Sequence, residues 1–246
     1  MLFLIWTTKK GFIYLSYKKG YMFYLIESNE QLEDFKNIEY GKVFIEPILY
    51  NDNFHPSLSK ISLLYIKPLN GDKGYLICLD HTETLSLNKT DIHKLLQIFD
   101  EIYVRDRKTF IYFFPLTNLI DISFTIPEYV EPSTQAYEFF YSKFNTLENI
   151  NTIIPAVKHY EKCEIVYNKI KEYCVSQNVK YLNKLTTAFF SIERNGLKID
   201  PKKFNKYYDI TNEAFSIKDD VVYTRYNLYT PTGIPSNSFN GINFAA

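Results

Sequence analysis

The sequence predicts an α/β protein in which a mixed sheet is covered by helices and followed by a helical segment. Three observations predict this class. Short apolar runs typical of strands alternate with helical patterns between Met22 and Ser123. Two of these runs flank a turn-forming segment, which indicates an antiparallel hairpin. From Ser133 onward the pattern is helical. Strands followed by helices in this order favour a mixed sheet with helical layers.

The elements of the first half follow from local signals. The apolar run Met22–Ile26 predicts a strand, and Ser28 then caps a helix, with Gln31 completing a capping box. A second helix begins at Thr90 or Asn88, because apolar residues follow at helical spacing. We interpret Met22 as the natural start and residues 1–21 as an extension or a weakly packed strand. Further strands are expected at Lys42–Ile48, Ile61–Lys67, Gly74–Leu79, Glu101–Val104 and Leu119–Ser123.

The second half is predicted to be helical. Helices are expected at Thr134–Phe144, at about Ile154–Val175 and at Asn178–Asn195. Gly196 provides the positive φ that a helix C-cap requires, and Asp200–Pro201 opens the next helix. These helices are expected to form an arm that is set apart from the sheet.

Composition limits the classes of function. The chain has 246 residues, of which 46% are hydrophobic and 23% charged, so it is globular rather than disordered. Its formal net charge is zero, so the strongly basic balance of many nucleic-acid-binding domains is absent. The stretch Lys158–Lys206 is rich in lysine, and a solvated helix face is its simplest interpretation.

Several common sites have no signal in the sequence. Cys78, Cys163 and Cys174 form no CxxC pair and no metal-binding spacing. Cys163 and Cys174 would lie on one face of a continuous helix, so we expect both to be buried thiols in a reducing compartment. Glycine-rich phosphate-binding fingerprints and a nucleophile elbow are missing. No apolar run is long enough to span a bilayer and the N-terminus is unlike a signal peptide, so we expect a cytoplasmic protein without a membrane partner.

A stretch near the end of the chain predicts a loop, because its Pro, Gly, Ser and Asn residues cannot propagate a helix or a central strand. The stretch from Tyr229 to Phe244, YTPTGIPSNSFNGINF, resembles the T-x-T-G-R-[LP]-S…N-x-[QN] segment of family-A DNA polymerases, especially those of bacteriophage type. In that family the loop contacts the primer–template, and Ile234 stands where the family has Arg. On composition alone a surface loop is the simpler interpretation. The resemblance implies DNA-binding roles for Arg225, Thr230, Thr232, Gly233, Ser236, Asn237, Asn240 and Asn243.

A second segment, Leu185–Asp200, is similar to the L-x(6)-[IM]-E-x-x-G-[IV]-x-[VI]-[DN] segment that starts the polymerase module of the same family. There a helix ends at Gly, a short extended piece follows, and a new helix begins. The resemblance implies a ribonuclease-H-like, exonuclease-like domain at 22–165 and the start of the polymerase module, with a helical thumb-like segment, at 166–246.

The exonuclease domains of that family use carboxylates to hold two divalent metals. In the first motif, D-x-E, Glu46 matches and Phe44 replaces the Asp. The second motif falls near Asp106, and the third, Y-x-x-x-D, resembles Tyr160–Glu164 with Glu in place of Asp. The resemblance implies that Glu46, Asp106, Tyr160 and Glu164 are remnants of the catalytic set and that Glu46 and Glu164 are metal ligands. Because a phenyl ring cannot bind metal, we expect an inactive site, with Mg²⁺ as cofactor only if exonuclease activity remains.

Each of these residues also has an ordinary interpretation. Glu46 fits a charge at the end of a strand, and Glu164 fits a solvated helix face. Asp106 fits a charged loop together with its neighbours Arg105, Arg107 and Lys108.

Three functional hypotheses follow. In the first, the chain is the N-terminal portion of a phage-like family-A DNA polymerase whose palm carboxylates lie beyond Ala246, so the isolated chain is inactive. In the second, it is a non-catalytic DNA-binding or scaffold subunit that completes a split polymerase in trans. In the third, which Phe44 disfavours, it is an active metal-dependent 3′–5′ exonuclease. The expected partners are DNA, as primer–template or single strand, and the missing polymerase half.

Overall fold

The computed structural model of the chain describes residues 3–8, 11–16, 21–37, 41–49, 56, 60–79, 87–122, 164, 167–168, 171, 179–207, 216–224, 226–228 and 235–237. The helices in these ranges are α1 (Asn29–Lys36), α2 (Lys89–Gln97), α3 (Arg107–Phe113), α4 (Val179–Asn195) and α5 (Pro201–Phe204). The strands are β1 (Phe3–Thr8), β2 (Gly11–Ser16), β3 (Tyr21–Ile26), β4 (Lys42–Leu49), β5 (Ile61–Pro68), β6 (Gly74–Cys78), β7 (Glu101–Val104), β8 (Leu119–Asp121), β9 (Leu197–Lys198), β10 (Ser216–Lys218), β11 (Val221–Tyr223), β12 (Tyr226–Asn227) and β13 (Ser236–Asn237).

The main sheet has the strand order β1-β2-β3-β6-β5-β4-β7-β8. Its central part consists of the antiparallel strands β4, β5 and β6, with β7 parallel to β4 and β8 parallel to β7. When these five strands are numbered along the chain from β4, their order across the sheet is 3-2-1-4-5. This is the ribonuclease-H-like arrangement, and the expectation of a mixed sheet with flanking helices is confirmed.

The N-terminal strands extend the sheet at one edge. β1, β2 and β3 form an antiparallel meander, and β3 pairs in parallel with β6. For residues 1–21 we expected an extension or a weakly packed strand, and β1 and β2 lie in this range. Both strands, FLIWTT and GFIYLS, are rich in the β-branched and aromatic residues that favour strands.

The two faces of the sheet carry different residues, because successive side chains of a strand point to opposite sides. Val43 and Ile45 of β4 belong to the main apolar core, together with α1, α2 and α3 residues. Phe44 and Glu46 point to the other face and are also buried. Every residue of β5 and of β6 is buried, so this part of the sheet is covered on both sides.

Capping signals are confirmed where the sequence predicted them. Ser28 accepts from the Gln31 amide at 3.3 Å, and the Gln31 side chain accepts from the Ser28 amide, so the capping box is present. Helix α2 is capped by Asn88, which accepts from the Thr90 amide at 2.8 Å. The short helix α3 is capped by Asp106, which accepts from the Thr109 amide.

The C-terminal segment contains the predicted helix α4, and Gly196 follows it with a φ of +60°. Asp200 caps α5, with Pro201 at its first position. The segment also contains short strands: β9, β10 and β11 form one small sheet, and β12 and β13 form another. Helix α4 packs against α3 and β8, and Arg107 of α3 makes buried polar contacts with α4.

Some expectations fall on other parts of the chain. The predicted helix Thr134–Phe144, most of Ile154–Val175, and the residues Cys163 and Cys174 lie outside the described residues. Cys78 is a buried free thiol. Within the described ranges, the helices lack the length and apolar character that a bilayer crossing requires.

Candidate functional site

The candidate site lies on the face of the sheet that is opposite to the main core. Phe44 pairs across the ladder with Lys67, and Glu46 pairs with Tyr65. All four side chains are buried. The Phe44 ring lies 6.2 Å from the Tyr65 ring and 5.7 Å from the ring of Tyr167, measured between centroids. An aromatic cluster therefore occupies the position at which the resemblance expects the first metal-binding aspartate.

Glu46 is paired with Arg105, the residue that follows β7. The Arg105 Nε donates to Glu46 Oε2 at 2.9 Å, and its NH2 donates to Oε1. Both side chains are 8% exposed. Parallel pairing of β4 with β7 brings the two residues side by side. A two-point pair of this kind is stronger than a single hydrogen bond between neutral groups, and it engages both carboxylate oxygens.

Two opposing effects act on the Glu46 carboxyl. Burial raises its pKa above the usual value, because a low-dielectric environment disfavours the charged form. The Arg105 guanidinium lowers the pKa by attraction and hydrogen bonding, and the nearby Asp106 carboxylate raises it. Burial is the largest of these effects, so the net direction is upward.

Glu164 is also paired with an internal cation. The Lys67 Nζ lies 3.0 Å from Glu164 Oε1, and the Tyr65 hydroxyl donates to the same oxygen at 2.7 Å. Lys67 further donates to the Asp72 carbonyl at 2.8 Å and lies 5.6 Å from the centre of the Tyr167 ring. The Lys67 and Glu164 side chains are 6% and 5% exposed, so this ion pair is removed from bulk water.

Asp106 has a local structural role. It caps α3 by accepting from the Thr109 amide at 3.1 Å and from the Thr109 hydroxyl at 2.6 Å. Its φ of 54° is a left-handed conformation that Asp tolerates better than most residues. Both carboxylate oxygens take part in the cap.

The charged neighbours of Asp106, which are Arg105, Arg107 and Lys108, are buried. Arg107 donates to the carbonyls of Leu119 and Asn183, and to the hydroxyls of Thr186 and Thr187 on α4. Its own amide donates to Asp121 at 3.0 Å. These contacts connect the edge of the sheet with the C-terminal segment.

Lys108 makes the second connection. It forms an ion pair with Glu193 of α4 and donates to the Tyr226 carbonyl at 2.6 Å. The Tyr226 amide donates to Glu193 at 2.6 Å. The Lys108 and Glu193 side chains are 2% and 1% exposed. This pair fixes β12 on helix α4, at the base of the segment between β12 and β13.

The residues present do not fit a two-metal centre. Phe44 offers no ligand atom, and the carboxylates of Glu46 and Glu164 are engaged by Arg105 and Lys67. Across the described ranges, no group of three or more His, Cys, Asp or Glu side chains is arranged to hold a metal ion. A hard divalent cation requires several oxygen ligands, so it would have to displace both internal cations. Tyr160, the remaining predicted remnant, lies outside the described residues.

The predicted DNA-contacting loop is described only in part. Ser236 and Asn237 form β13, which pairs with β12 through Tyr226–Asn237 and Asn227–Ser236. The other predicted DNA-binding residues lie outside the described residues: Arg225, Thr230, Thr232, Gly233, Asn240 and Asn243.

No protein-family model matches the chain, and no curated protein matches it. Several solved structures are similar to the chain, among them the following three. Trypanosoma brucei RNase D in complex with RNA U12 is 12% identical with a TM-score of 0.47, and the match covers 69% of this chain and 70% of that one. Escherichia coli RNase D, an exoribonuclease involved in structured RNA processing, is 11% identical with a TM-score of 0.46, over 77% of this chain. Brucella melitensis NrnC with bound Mg²⁺ is 9% identical with a TM-score of 0.41, over 77% of this chain and 98% of that one.

The chain matches 54% of the length of the E. coli RNase D chain. Identities and scores at this level do not assign a role to any residue of this chain. The chemistry of the candidate site therefore rests on its own contacts.

Sequence reasoning missed the partners of the site carboxylates. Lys67 is the signal that was available, because a lysine in the otherwise apolar strand ISLLYIKP requires a buried partner. Arg105 follows an apolar strand in the same way. Asp121 is fully buried at the end of β8, and Glu193 is fully buried on α4. Glu193 belongs to the segment that carried the second resemblance, where it was not assigned a role.

Proposed function

We propose that this chain is an exonuclease-like domain that holds nucleic acid without hydrolysing it. The observation that carries the proposal is the pairing of Glu46 with Arg105 beside Phe44. Metal-dependent phosphodiester hydrolysis needs one ion to activate water and another to stabilise the leaving oxygen. A site whose carboxylates are neutralised by Arg105 and Lys67 lacks the negative charge that attracts such ions.

The test measures metal binding and hydrolysis on the same protein. Titration calorimetry with Mg²⁺ and Mn²⁺ is expected to give no binding above that of the Glu46→Gln variant. A 3′-labelled single-stranded DNA or RNA is expected to stay intact in the presence of either ion. Degradation by the wild-type chain that Glu46→Gln abolishes would contradict the proposal.

The preceding experiment expects no metal binding, so a designed variant that is expected to gain metal binding complements it. Phe44→Asp combined with Arg105→Gln restores the first aspartate and releases Glu46 from its cation. We expect this double variant to bind Mn²⁺ more tightly than the wild type, because two carboxylates then face one site. Phe44→Asp alone is the matched control, and we expect no gain because Arg105 still engages Glu46.

A metal-dependent 3′–5′ exonuclease is the second candidate. Two observations favour it: the sheet is ribonuclease-H-like, and buried Glu46 and Glu164 are placed around the same aromatic cluster. In that case Mg²⁺ or Mn²⁺ would exchange with the ion pairs when nucleic acid binds. The hydrolysis assay above separates the two candidates, because it includes metal and substrate together.

The wider context that we propose is a family-A DNA polymerase, either continuous with this chain or completed in trans. The helix-Gly segment up to Asp200 and the threonine–glycine loop support it through their order in the sequence. The isolated chain is then expected not to incorporate nucleotides on a primed template. Reading the coding DNA beyond Ala246 for the first palm carboxylate motif tests this context directly.

A further inference from the structure

We propose that an exposed basic surface in the C-terminal segment binds the phosphate backbone of single-stranded nucleic acid, with a base stacked on Tyr207. This inference rests on the proposed function and names the surface that would carry it. The basic surface consists of Lys198, Lys202, Lys203, Lys206 and Tyr207, all of them exposed.

The local backbone fixes this surface. Asp200 caps α5 by accepting from the Lys202 and Lys203 amides at 3.0 and 3.3 Å. The Lys206 amide donates to the Lys203 carbonyl at 3.2 Å, and the Tyr207 amide donates to the Phe204 carbonyl at 3.0 Å. The lysines and the tyrosine are therefore held on successive turns of ordered backbone.

The lysines of this surface differ from other lysines of the chain, whose charges are neutralised by ion pairs. Lys36 and Lys94 on helices α1 and α2 each form an ion pair with an acidic residue three positions earlier. In the described part of the chain, no carboxylate lies within 4.0 Å of the lysines at positions 198, 202, 203 and 206. The whole chain has no net charge, so this cluster is a local positive excess that attracts polyanions.

In the part of the chain that the structure describes, the acidic residues nearest to this surface in the sequence are Asp200, Asp219 and Asp220. Between Gly196 and Tyr207 the only acidic residue is Asp200, whose side chain serves as the helix cap. Asp219 and Asp220 lie in the turn between β10 and β11, and the Asp220 carbonyl accepts from the Ile199 amide at 2.8 Å. They border the surface on the side of β9, so we place its centre on α5 and the turn after it.

Tyr207 identifies the kind of polyanion. Its side chain is 81% exposed, the largest value among the exposed large apolar and aromatic residues of the described chain. A solvent-exposed aromatic ring beside several cations is the combination with which proteins hold single strands, because bases stack on the ring while cations contact phosphates. In a duplex the bases are stacked on each other and leave no free face for the ring.

The experiment measures fluorescence anisotropy of labelled oligothymidylate and oligouridylate of about 15 nucleotides, in the presence of a chelator that prevents hydrolysis. The basic-surface variant carries Lys202→Gln, Lys203→Gln and Lys206→Gln. The matched control carries the same change at Lys36, Lys89 and Lys94, on other helices. Circular dichroism checks that both variants fold.

We expect the wild type to bind, the control to bind equally well, and the basic-surface variant to lose affinity. The slope of log affinity against log salt should decrease in magnitude by about 2, since each phosphate contact to a single strand contributes roughly 0.7. Tyr207→Ala should weaken binding roughly 5- to 150-fold, the range for loss of one stacked base. Tyr207→Phe keeps the ring and should retain affinity.

The outcomes separate this inference from the proposed function. If the wild type binds and the basic-surface and control variants bind equally, the surface is wrong and nucleic-acid binding stands. If the wild type binds neither oligonucleotide, the proposed function fails and this inference fails with it. Binding of either oligonucleotide supports the surface, because both present phosphates and unstacked bases.

Discussion

Replacing Lys108 with Met tests whether the C-terminal segment and the sheet form one cooperative unit. The ammonium group is buried between Glu193 and the Tyr226 carbonyl, and both charged side chains are at most 2% exposed. Removing it leaves the Glu193 carboxylate buried without its cation. The loss of one partner from a buried pair typically costs about 3–5 kcal/mol. For a chain of this length that corresponds to a decrease in Tm of roughly 6–20 °C.

The assay is urea unfolding followed by two probes. Trp6, the single tryptophan, lies in β1 and reports on the sheet, whereas far-ultraviolet circular dichroism reports on the whole chain. If the segment and the sheet are coupled, both probes shift together in Lys108→Met. Lys108→Met combined with Glu193→Leu should recover much of the lost stability, because it removes both charges. Lys184→Met, at an exposed position of α4, is the control.

Two results would refute this reasoning. A loss below about 1 kcal/mol is the magnitude of a solvent-exposed pair and would mean that Lys108 is hydrated. A change in circular dichroism without any change at Trp6 would mean that the C-terminal segment unfolds independently of the sheet. In that second case the expectation of an arm set apart would be right, and the contacts of Lys108 would be of little energetic importance.

Two further predictions concern Glu46 and Gly196. Because the pKa of Glu46 is raised above 4.5, the folded state binds more protons than the unfolded state between pH 4.5 and that raised pKa. The contribution of Glu46 to the free energy of unfolding therefore falls as pH rises through this window. The free energy of unfolding of the wild type minus that of Glu46→Gln, measured by urea unfolding, should fall in the same window. Gly196→Ala should destabilise the protein by more than about 1–2 kcal/mol, which is the usual cost of a left-handed residue. The cost is higher here because a Cβ would also lie 2.9 Å from the Val222 carbonyl oxygen. Thermal unfolding measures this loss, and an unchanged Tm would contradict the prediction.

Local elements of this fold could be predicted because their signals are local. The Ser28–Gln31 capping box and the Gly196 C-cap each involve residues within a few positions of one another. The strand at Glu101–Val104 was predicted with the bounds that the structure shows. In these cases backbone geometry depends on the identity of one or two neighbouring side chains.

The partners of the site carboxylates could not be predicted in the same way. Arg105 is 59 positions from Glu46, and Lys67 is 97 positions from Glu164. Their pairing depends on which strands are neighbours and on which face each side chain lies. The sequence shows such residues only as charges near strand ends, for which solvent exposure is the usual interpretation.

The charge balance of the site explains why one substitution should not restore a metal centre. Glu46 and Glu164 carry two negative charges, and Arg105 and Lys67 carry two positive charges, so the buried cluster is neutral without ions. An aspartate at position 44 would add a buried charge among the rings of Tyr65 and Tyr167, where desolvation favours its neutral form. Metal affinity can return only when an internal cation leaves as the carboxylate arrives, because a divalent ion then supplies the missing positive charge. An aromatic ring at position 44 and the Glu46–Arg105 pair are therefore electrostatically compatible, because the ring adds no charge to a balanced cluster.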